Sequence, residues 1–374
     1  MRIVIAPDKF AGTLTAVEAA EAVATGWRDV HPGADTRTVP LSDGGPGFVE
    51  VLHAAIGGRL LGCEVTGPLG APVRADVLLD GDTAYVESAL ACGLHLVPAA
   101  DRDPARTTTR GVGELIARAV EAGARTVVVG MGGSSTNDGG AGMLAALGAG
   151  PADRLAAGGG ALAGLEAADT APALRAVEGV RLIAATDVDN PLLGEHGASA
   201  VFGPQKGADP GAVRALDAAL ADFADATDPE GTLRAAPGAG AAGGLGYGLL
   251  VLGGTVESGV ARVLEAVGLD SLAAGADLVV TGEGSFDFQS LRGKLPHGVA
   301  RTAARHGVPC VVTAGAVSAD PDEAAKAGVT AAYSLVESAG STEAAMARSA
   351  EELRALAAAI ARAWPRVDRA GRGD

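Results

Sequence analysis

The chain has 374 residues, of which 48% are hydrophobic and 3% aromatic, and its formal net charge is −16. This length fits two ordinary domains or one large one, and no apolar run reaches the roughly 20 residues that span a bilayer. The negative charge disfavours nucleic acid and anionic membrane surfaces as partners. The three cysteines lie far apart without metal-binding spacing, and the apolar start is too short for a signal peptide. We therefore predict a cytoplasmic protein that binds small molecules.

The first elements form a strand–helix pattern. Residues 2–7 (RIVIAP) are a β-branched run, and Thr15 with Glu18 predicts a capping box at the start of a helix. A second strand is predicted at 36–41, and it ends in the loop SDGGPG. Strands that end in acid-and-glycine loops before helices are typical of α/β sheets, whose ligands bind at the carboxyl ends of the strands.

The middle of the chain has a different pattern. Turn-punctuated segments from about 60 to 90 predict antiparallel strands or hairpins. A helix at 111–122 then leads into a buried strand at 126–130. Residues 180–191 contain a strand that enters an acidic loop, and a helix is predicted near 211–226.

Regular strand–helix alternation returns in the last hundred residues. Strands are predicted at 277–284, 308–317 and 329–336. The polar end of the chain, 365–374, is expected to fray.

This distribution of patterns predicts two unlike α/β domains, because both ends of the chain alternate regularly and the middle does not. Residues 1–60 and 270–374 would form a discontinuous Rossmann- or flavodoxin-like domain. Residues 61–269 would form an inserted mixed α/β domain, with a cleft between the two.

The most informative loop, GMGGSSTNDGGAG at 130–142, directly follows a strand and directly precedes a helix. Glycines let the backbone approach a ligand closely, and successive N–H groups at a helix N-terminus attract anions. We therefore predict a phosphate site here. The alternative is a strand-to-helix turn in which the polar residues serve only as caps. The residues proposed to bind the cofactor are Gly132, Gly133, Ser134, Ser135, Thr136 and Asn137.

Two carboxylates, Asp187 and Asp189, share the loop ATDVDNP at a strand end. At positions i and i+2 they can point the same way, so they could bind Mg²⁺ or take a proton from a substrate hydroxyl. The alternative is an Asx turn that closes the strand.

The loop TGEGSFDFQSLRGKLPHG at 281–298 combines Glu283 and Asp287 with Arg292 and Lys294. Acids for a metal and cations for phosphate within a dozen residues suit a nucleoside triphosphate. A surface loop held by salt bridges is the alternative.

The remaining candidates are two aspartates and the lysines. Asp8 and Asp43 each follow a predicted strand, as a cap or as a ligand. The chain has only four lysines, and Lys9, Lys206 and Lys294 lie in glycine-rich or acid-flanked loops. Arginine replaces lysine poorly where a compact point charge is needed, so we predict that at least two of these three are functional.

Common nucleotide and hydrolase motifs are absent or out of context. Lys294 follows a glycine but precedes Leu295, so the chain has no Walker A sequence. GAGAAG at 238–243 matches a dinucleotide-binding pattern but follows no predicted strand. There is also no serine-hydrolase elbow, no HExxH and no histidine cluster.

With these loops, the chain resembles the bacterial glycerate kinase family that has two unlike α/β domains. The resemblance covers nearly the full length and rests on IAPDKFAGTLTA, SDGGPG, GMGGSSTNDGGAGML, ATDVDNPLLG, VFGPQKGA, GAGAAGGLGYGL and TGEGSFDFQSLRGKLPHGVA. It implies ATP- and Mg²⁺-dependent phosphorylation of D-glycerate, usually to 2-phosphoglycerate. Lys9 and Ala11 depart from the family, which often has Ser and Lys there, and Ser285 stands where a basic residue is common.

The resemblance and the loops together give a hypothesis for each candidate. ATP phosphates would bind the 130–142 loop and Lys294, Asp189 would accept the hydroxyl proton, and Lys9 or Lys206 would hold the carboxylate of glycerate. The assignments are Asp189 and Lys9 for catalysis; Asp8, Asp43, Lys206 and Arg292 for substrate; and Asp187, Asp189, Glu283 and Asp287 for the metal.

Two other functions stay open at this point. One is an NAD-dependent hydroxy-acid oxidoreductase that uses GAGAAG, and the other is a non-catalytic protein that binds a hydroxy-acid. The sequence also leaves open which hydroxyl is phosphorylated, which enantiomer is preferred and how many copies assemble.

Overall fold

The computed structural model describes residues 1–10 and 12–364, so Ala11 and the predicted frayed end at 365–374 lie outside the described residues. The strands of the described part are β1 (Arg2–Pro7), β2 (Asp35–Thr38), β3 (Arg59–Thr66), β4 (Pro72–Asp80), β5 (Thr83–Glu87), β6 (Thr126–Gly130), β7 (Arg181–Ala185), β8 (Thr255–Glu257), β9 (Leu278–Phe286), β10 (Cys310–Val317) and β11 (Ala331–Ser334).

Helices separate most of these strands. The α-helices are α1 (Ala16–Val30), α2 (Phe48–Ile56), α3 (Ser88–Cys92), α4 (Arg110–Glu121), α5 (Ala141–Ala146), α6 (Ala152–Leu155), α7 (Ala171–Ala176), α8 (Ala198–Phe202), α9 (Pro210–Thr227), α10 (Ala241–Val251), α11 (Gly259–Ala266), α12 (Leu269–Ala274), α13 (Leu295–Arg305), α14 (Pro321–Lys326), α15 (Leu335–Ala339), α16 (Thr342–Ala347) and α17 (Ser349–Ala363). Short 3₁₀ turns occur at Leu94–Leu96, Ala99–Asp101, Gly159–Leu162 and Pro204–Lys206.

The chain divides into two compact units. The first unit contains Met1–Asp43, Glu50–Ile56 and the chain from Val260 onward, and the second contains Gly44–Val49 and Gly57–Gly259. The domain bounds given above from the sequence, 1–60 with 270–374 and 61–269, stay a prediction for independently folding domains.

The first unit is built on a five-stranded, fully parallel sheet with the order β2-β1-β9-β10-β11. Numbered along this unit alone, the order is 2-1-3-4-5, which is that of flavodoxin-like folds. The order reverses between β1 and β9, where Ile5 pairs with Val280 and Pro7 with Gly282. Ligands of such sheets bind outside the carboxyl ends of the strands at this reversal.

Helix α1 shows how the sequence forms this unit. The predicted capping box is present: the Thr15 hydroxyl accepts from the Glu18 N–H at 3.2 Å, and the Glu18 carboxylate accepts from the Thr15 N–H at 2.9 Å. The apolar face of α1 buries Val23 and Trp27, and it packs with Ile3, Ile5 and other residues of the first core. Burying side chains of this size contributes about 1.5–3 kcal/mol each, which anchors α1 to the sheet.

The second unit contains a mixed sheet with the order β3-β4-β5-β6-β7-β8. Strands β3, β4 and β5 pair antiparallel, whereas β5, β6, β7 and β8 are parallel. Its core is made from Ala, Val, Leu and Ile with few aromatics, among them the Phe223–Tyr247 edge-to-face pair. The predicted α/β class with two unlike sheets is therefore confirmed.

Most predicted strands are confirmed, and where the structure differs from the prediction, it differs by a few residues. The strand predicted at 36–41 ends at Thr38, since Pro40 has no N–H to donate, although the Val39 N–H still bonds to the Ile5 carbonyl at 2.8 Å. The strand at Thr255–Glu257 was not predicted, because three residues are too few to show a periodic pattern.

Candidate functional site

Two of the predicted loops lie at one edge of the sheet of the second unit. Strands β5, β6, β7 and β8 are parallel, so their carboxyl ends lie on the same side. The sequence after β6 is the predicted phosphate loop, residues 130–142, which we call the glycine–serine loop. The sequence after β7 is the acidic loop with Asp187 and Asp189. The fold thus brings together two of the predicted loops.

The glycine–serine loop is buried, and part of its polar surface is already bonded within the protein. Ser134, Ser135, Thr136 and Asn137 are each at most 6% exposed. The Ser135 hydroxyl donates to the Cys92 carbonyl at 2.9 Å, and the Asn137 amide donates to the Ser199 hydroxyl at 2.9 Å. The Asn137 Oδ1 atom is buried without a hydrogen-bond partner, which is the kind of orphaned acceptor that a ligand or water satisfies.

Asp138 fixes the second half of this loop. Its buried carboxyl group accepts hydrogen bonds from the Thr109 N–H and hydroxyl at 2.8 and 2.9 Å, and from the N–H groups of Gly140 and Gly142 at 3.2 Å each. Burial raises the pKa of Asp138, and the four donors act in the opposite direction. Sequence reasoning gave Asp138 no role, although its place between the predicted phosphate loop and the next helix was a usable signal.

The loop 44–49 packs against the start of the glycine–serine loop. The Gly132 N–H donates to the Gly44 carbonyl at 3.2 Å, and a Cβ on Gly132 would overlap Gly45. Glu87, at the end of β5, accepts from the N–H groups of Gly47 and Val49 at 3.1 and 3.2 Å. Glu87 also was not predicted, and it satisfies amides at the start of α2.

The acidic loop is more exposed than the glycine–serine loop. Asp187 accepts a hydrogen bond from the Ser258 hydroxyl at 2.6 Å, and both Asp187 and Asp189 are exposed. Strand β7 ends at Ala185, so both carboxylates follow the strand, at the edge where ligands of parallel strands bind.

In the first unit, three acids gather at the reversal point of the sheet. Asp8 follows β1 and Glu283 lies in β9, and the Asp8 N–H donates to the Gly282 carbonyl at 2.8 Å. Burial, followed by the nearby charge of Asp43, raises the pKa of Asp8 to about 7, although the charge of Lys9 acts in the opposite direction. Burial also raises the pKa of Glu283. We call Asp8, Asp43 and Glu283 the switch-point acids.

The loop after β9 holds the remaining predicted residues of this unit. Asp287 forms an Asx turn, in which its carboxylate accepts from the Gln289 N–H at 2.8 Å. The Arg292 guanidinium lies 5.4 Å from the centre of the exposed Phe288 ring, and Lys294 is exposed at the N-terminus of α13. The loop is thus ordered by an Asx turn and a contact of Arg292 with an aromatic ring, and its role in binding stays a prediction.

The carboxylates of the described residues form no group of three or more that would hold a metal ion by protein ligands alone. Mg²⁺ does not require such a group, since it usually binds one or two carboxylates together with waters and substrate phosphates. Glu283 is 8% exposed and its Oε1 atom has no hydrogen-bond partner. A buried, unsatisfied carboxylate oxygen fits one ligand of a divalent cation.

The dinucleotide-like tract at 238–243 serves the packing of this site. It follows a turn and not a strand, and Gly243 has a φ of +71°. A Cβ on Gly243 would overlap the Thr136 carbonyl of the glycine–serine loop. Glycine is therefore required here for close backbone contact, without a dinucleotide.

Within the part of the chain that the structure describes, no helix is long and apolar enough to cross a membrane.

The fold and loops define a two-unit α/β protein whose glycine–serine loop and acidic residues lie at the carboxyl ends of parallel strands. A profile of the Glycerate kinase family matches residues 3–365. The chain therefore belongs to the glycerate kinase family.

Individual proteins agree with this assignment. The chain is 47% identical over 370 residues to a glycerate kinase of Bacillus subtilis, covering 96% of this chain and 97% of that protein. It is 42% identical to the glycerate 2-kinase of Escherichia coli, covering 92% of each. The crystal structure of a candidate glycerate kinase 2 from Salmonella typhimurium LT2 matches with a TM-score of 0.82 and 40% identity, over 97% of this chain and 98% of that one.

Proposed function

We propose that this member of the glycerate kinase family transfers the γ-phosphoryl group of ATP to D-glycerate in the cytoplasm, and that 2-phosphoglycerate is the product. The observation that carries the proposal is the glycine–serine loop, which lies between a parallel strand and a helix with buried polar groups still unsatisfied. Phosphoryl transfer needs mainly positioning and charge stabilisation, which such a loop supplies.

On the nucleotide side, we propose that the loop amides and Ser134 bind the ATP phosphates. The backbone N–H groups of Thr136 and Asn137 donate to no acceptor among residues 1–10 and 12–364, although both residues are fully buried. Buried amides of this kind need a partner, and phosphate oxygens suit successive backbone N–H groups of a loop. Lys294 is a further candidate for phosphate contact.

On the acceptor side, we propose that Asp189 takes the proton of the glycerate hydroxyl. Its exposed carboxylate at the end of β7 is accessible to a substrate. Asp8 and Asp43 are the next candidates for the base. Lys9 is proposed to hold the glycerate carboxylate, and Arg292 to assist.

The residues present fit Mg²⁺, whose charge would neutralise the negative charge that develops on the phosphate oxygens. In the first unit, Glu283 and Asp287 are the candidate protein ligands, and in the second unit, Asp187 and Asp189 are. The oxidoreductase alternative gains no support, because GAGAAG packs against the glycine–serine loop.

The direct test supplies the purified protein with ATP, MgCl₂ and D-glycerate and identifies the product by NMR. We expect 2-phosphoglycerate, no turnover in excess EDTA, and a much lower kcat/KM for glycerol, which lacks the carboxylate. Equal kcat/KM for glycerol and glycerate would remove the carboxylate contact from the proposal, and full turnover in EDTA would remove the metal. Reduction of NAD by glycerate would favour the oxidoreductase instead.

A further inference from the structure

Lys206 is a buried lysine whose side chain is directed inward by the turn that carries it. It ends the 3₁₀ turn Pro204–Lys206 and is 2% exposed. The next residue, Gly207, has a φ of +103°, and a Cβ there would overlap the Arg102 carbonyl. Only glycine fits this position without strain, and the Lys206 side chain before it points into the protein, where it is hydrogen-bonded.

The Lys206 ammonium group holds the centre of the glycine–serine loop. It donates to the Thr136 carbonyl at 2.7 Å and to the Ser134 hydroxyl oxygen at 3.0 Å. In a trans peptide the C=O and the following N–H point in opposite directions. Since the Thr136 carbonyl faces Lys206, the Asn137 N–H faces away from Lys206.

The same contact leaves the Ser134 proton available. Because its oxygen accepts from Lys206, the Ser134 hydroxyl can still donate one hydrogen bond. The neighbouring Ser135 hydroxyl differs, since it already donates to the Cys92 carbonyl. The two serines of the predicted phosphate loop are therefore not equivalent.

The Lys206 ammonium makes no hydrogen bond to a carboxylate among residues 1–10 and 12–364, although Asp138 lies near enough to favour its charged form. It bonds to two neutral oxygens instead. The titratable groups that face it are Cys92, from α3, and Asp138, from the glycine–serine loop, and both favour the ammonium form. Burial nevertheless lowers the pKa of Lys206 to about 8. A buried cation with unsatisfied amides nearby is a site for an anion.

We infer that Lys206 is a positioning residue for nucleotide phosphate: it orients the glycine–serine loop so that the Asn137 N–H and the Ser134 hydroxyl face a phosphate group, whose negative charge balances the buried ammonium. This role differs from the contact with the glycerate carboxylate that the sequence predicted for Lys206. The inference rests on the proposed function in one respect, namely that the bound phosphate group belongs to ATP.

The arrangement couples phosphate binding to proton uptake. An anion near Lys206 favours its charged form and raises its pKa. Near pH 8 some of the free protein carries a neutral Lys206, so binding draws a proton from the buffer. A lysine with only a packing role would show no such uptake.

The experiment titrates ADP into the protein at pH 8 by calorimetry, in two buffers of unlike ionisation enthalpy, without glycerate. Sulfate, which has no titratable proton near pH 8, is the second probe and tests the anion site independently of kinase activity. We expect proton uptake with both probes in the wild type. Lys206→Met should abolish the uptake and weaken ADP binding about tenfold or more, as loss of hydrogen bonds to a charged group implies.

The matched control is Lys326→Met, which removes an exposed lysine that pairs with Glu323, and it should leave affinity and uptake unchanged. If a folded Lys206→Met protein keeps the wild-type affinity and uptake, the inference is wrong. If that variant does not fold, the test uses the wild-type protein alone. The inference is then wrong if neither ADP nor sulfate causes proton uptake at pH 8. Sulfate-linked uptake without any kinase activity would uphold this site and overturn only the proposed function.

Discussion

The two units differ in how their buried charged groups are stabilised. In the second unit, Asp138 and Lys206 are buried. Asp138 accepts from Thr109, Gly140 and Gly142, and Lys206 donates to Ser134 and Thr136, at distances of 2.7–3.2 Å. In the first unit, Asp8 and Glu283 lie near other acids, and burial raises the pKa of both. In the second unit these groups are held by internal hydrogen bonds, whereas in the first unit several acids lie close together, where a cation or a proton would reduce their mutual repulsion.

This difference separates residues that hold the shape of a site from residues that can take part in its chemistry. A buried charge surrounded by donors or acceptors is part of the scaffold, and its removal leaves several groups unsatisfied. A carboxyl group with a raised pKa near other acids is available for chemistry. The predictions below test this division, beginning with the largest expected effect.

The largest effect is expected for Asp189→Asn. An amide cannot accept the hydroxyl proton, and base catalysis contributes about 10²–10⁴-fold, so kcat should fall by that factor. Steady-state kinetics measure the fall, and thermal unfolding should show a nearly unchanged Tm. The companion variant Asp187→Asn should instead raise the Mg²⁺ concentration that activity requires. If Asp189→Asn keeps more than about a third of kcat, the base belongs to the first unit, with Asp8 or Asp43.

The next effect concerns the pH dependence of stability. A carboxyl whose pKa is raised on folding, from 3.8 to about 7 for Asp8, contributes stability that is present below the unfolded pKa and lost as the pH rises through the folded pKa. Each pKa unit corresponds to about 1.4 kcal/mol, so the loss between pH 4 and 8 is up to about 4 kcal/mol.

Asp8→Asn removes this titration. Relative to the wild type, the variant should gain unfolding free energy at pH 8 and lose the gain by about pH 4. Urea denaturation in EDTA at several pH values measures the difference. A constant difference across this range would contradict the raised pKa, and Asp35→Asn, an exposed aspartate of the same unit, serves as the control.

Asp138→Ala should destabilise the protein by about 3 kcal/mol, because it leaves buried donors of Thr109, Gly140 and Gly142 without an acceptor. Urea denaturation measures this loss. The control Asp153→Ala removes an exposed carboxylate of the same unit and should change stability by less than about 0.5 kcal/mol. Equal effects for the two would mean that Asp138 does not hold the loop.

The smallest effect separates the two serines. Ser134→Ala should raise the KM for ATP about tenfold with little change in Tm, because its proton is available to phosphate. Ser135→Ala should lower stability by about 1 kcal/mol and change the KM for ATP less, since its hydroxyl bonds to Cys92. Steady-state kinetics with ATP and glycerate varied separately distinguish the cases. If Ser134→Ala changed the KM for glycerate more than the KM for ATP, the loop would instead be assigned to binding of the phosphoryl acceptor, glycerate.

The sequence by itself determined the order of elements, the α/β class and the loops that follow the strands. Capping, hydrophobic periodicity and turn residues act over a few neighbouring positions. The sequence therefore predicted the strand at 126–130, the Thr15 capping box and the helix near 211–226. The family followed from motifs such as GMGGSSTNDGGAG in their order along the chain.

Only the tertiary structure decided what individual polar residues do. Lys206 lies 70 positions from Thr136 and Asp138 lies 29 positions from Thr109, so no local pattern could reveal that these groups bond. The same holds for Asp8, whose pKa depends on Asp43 and Glu283 and on its burial. Hydrogen-bond partners, desolvation and charge coupling are set by contacts between distant segments, and those contacts exist only once the sheets and their loops have formed.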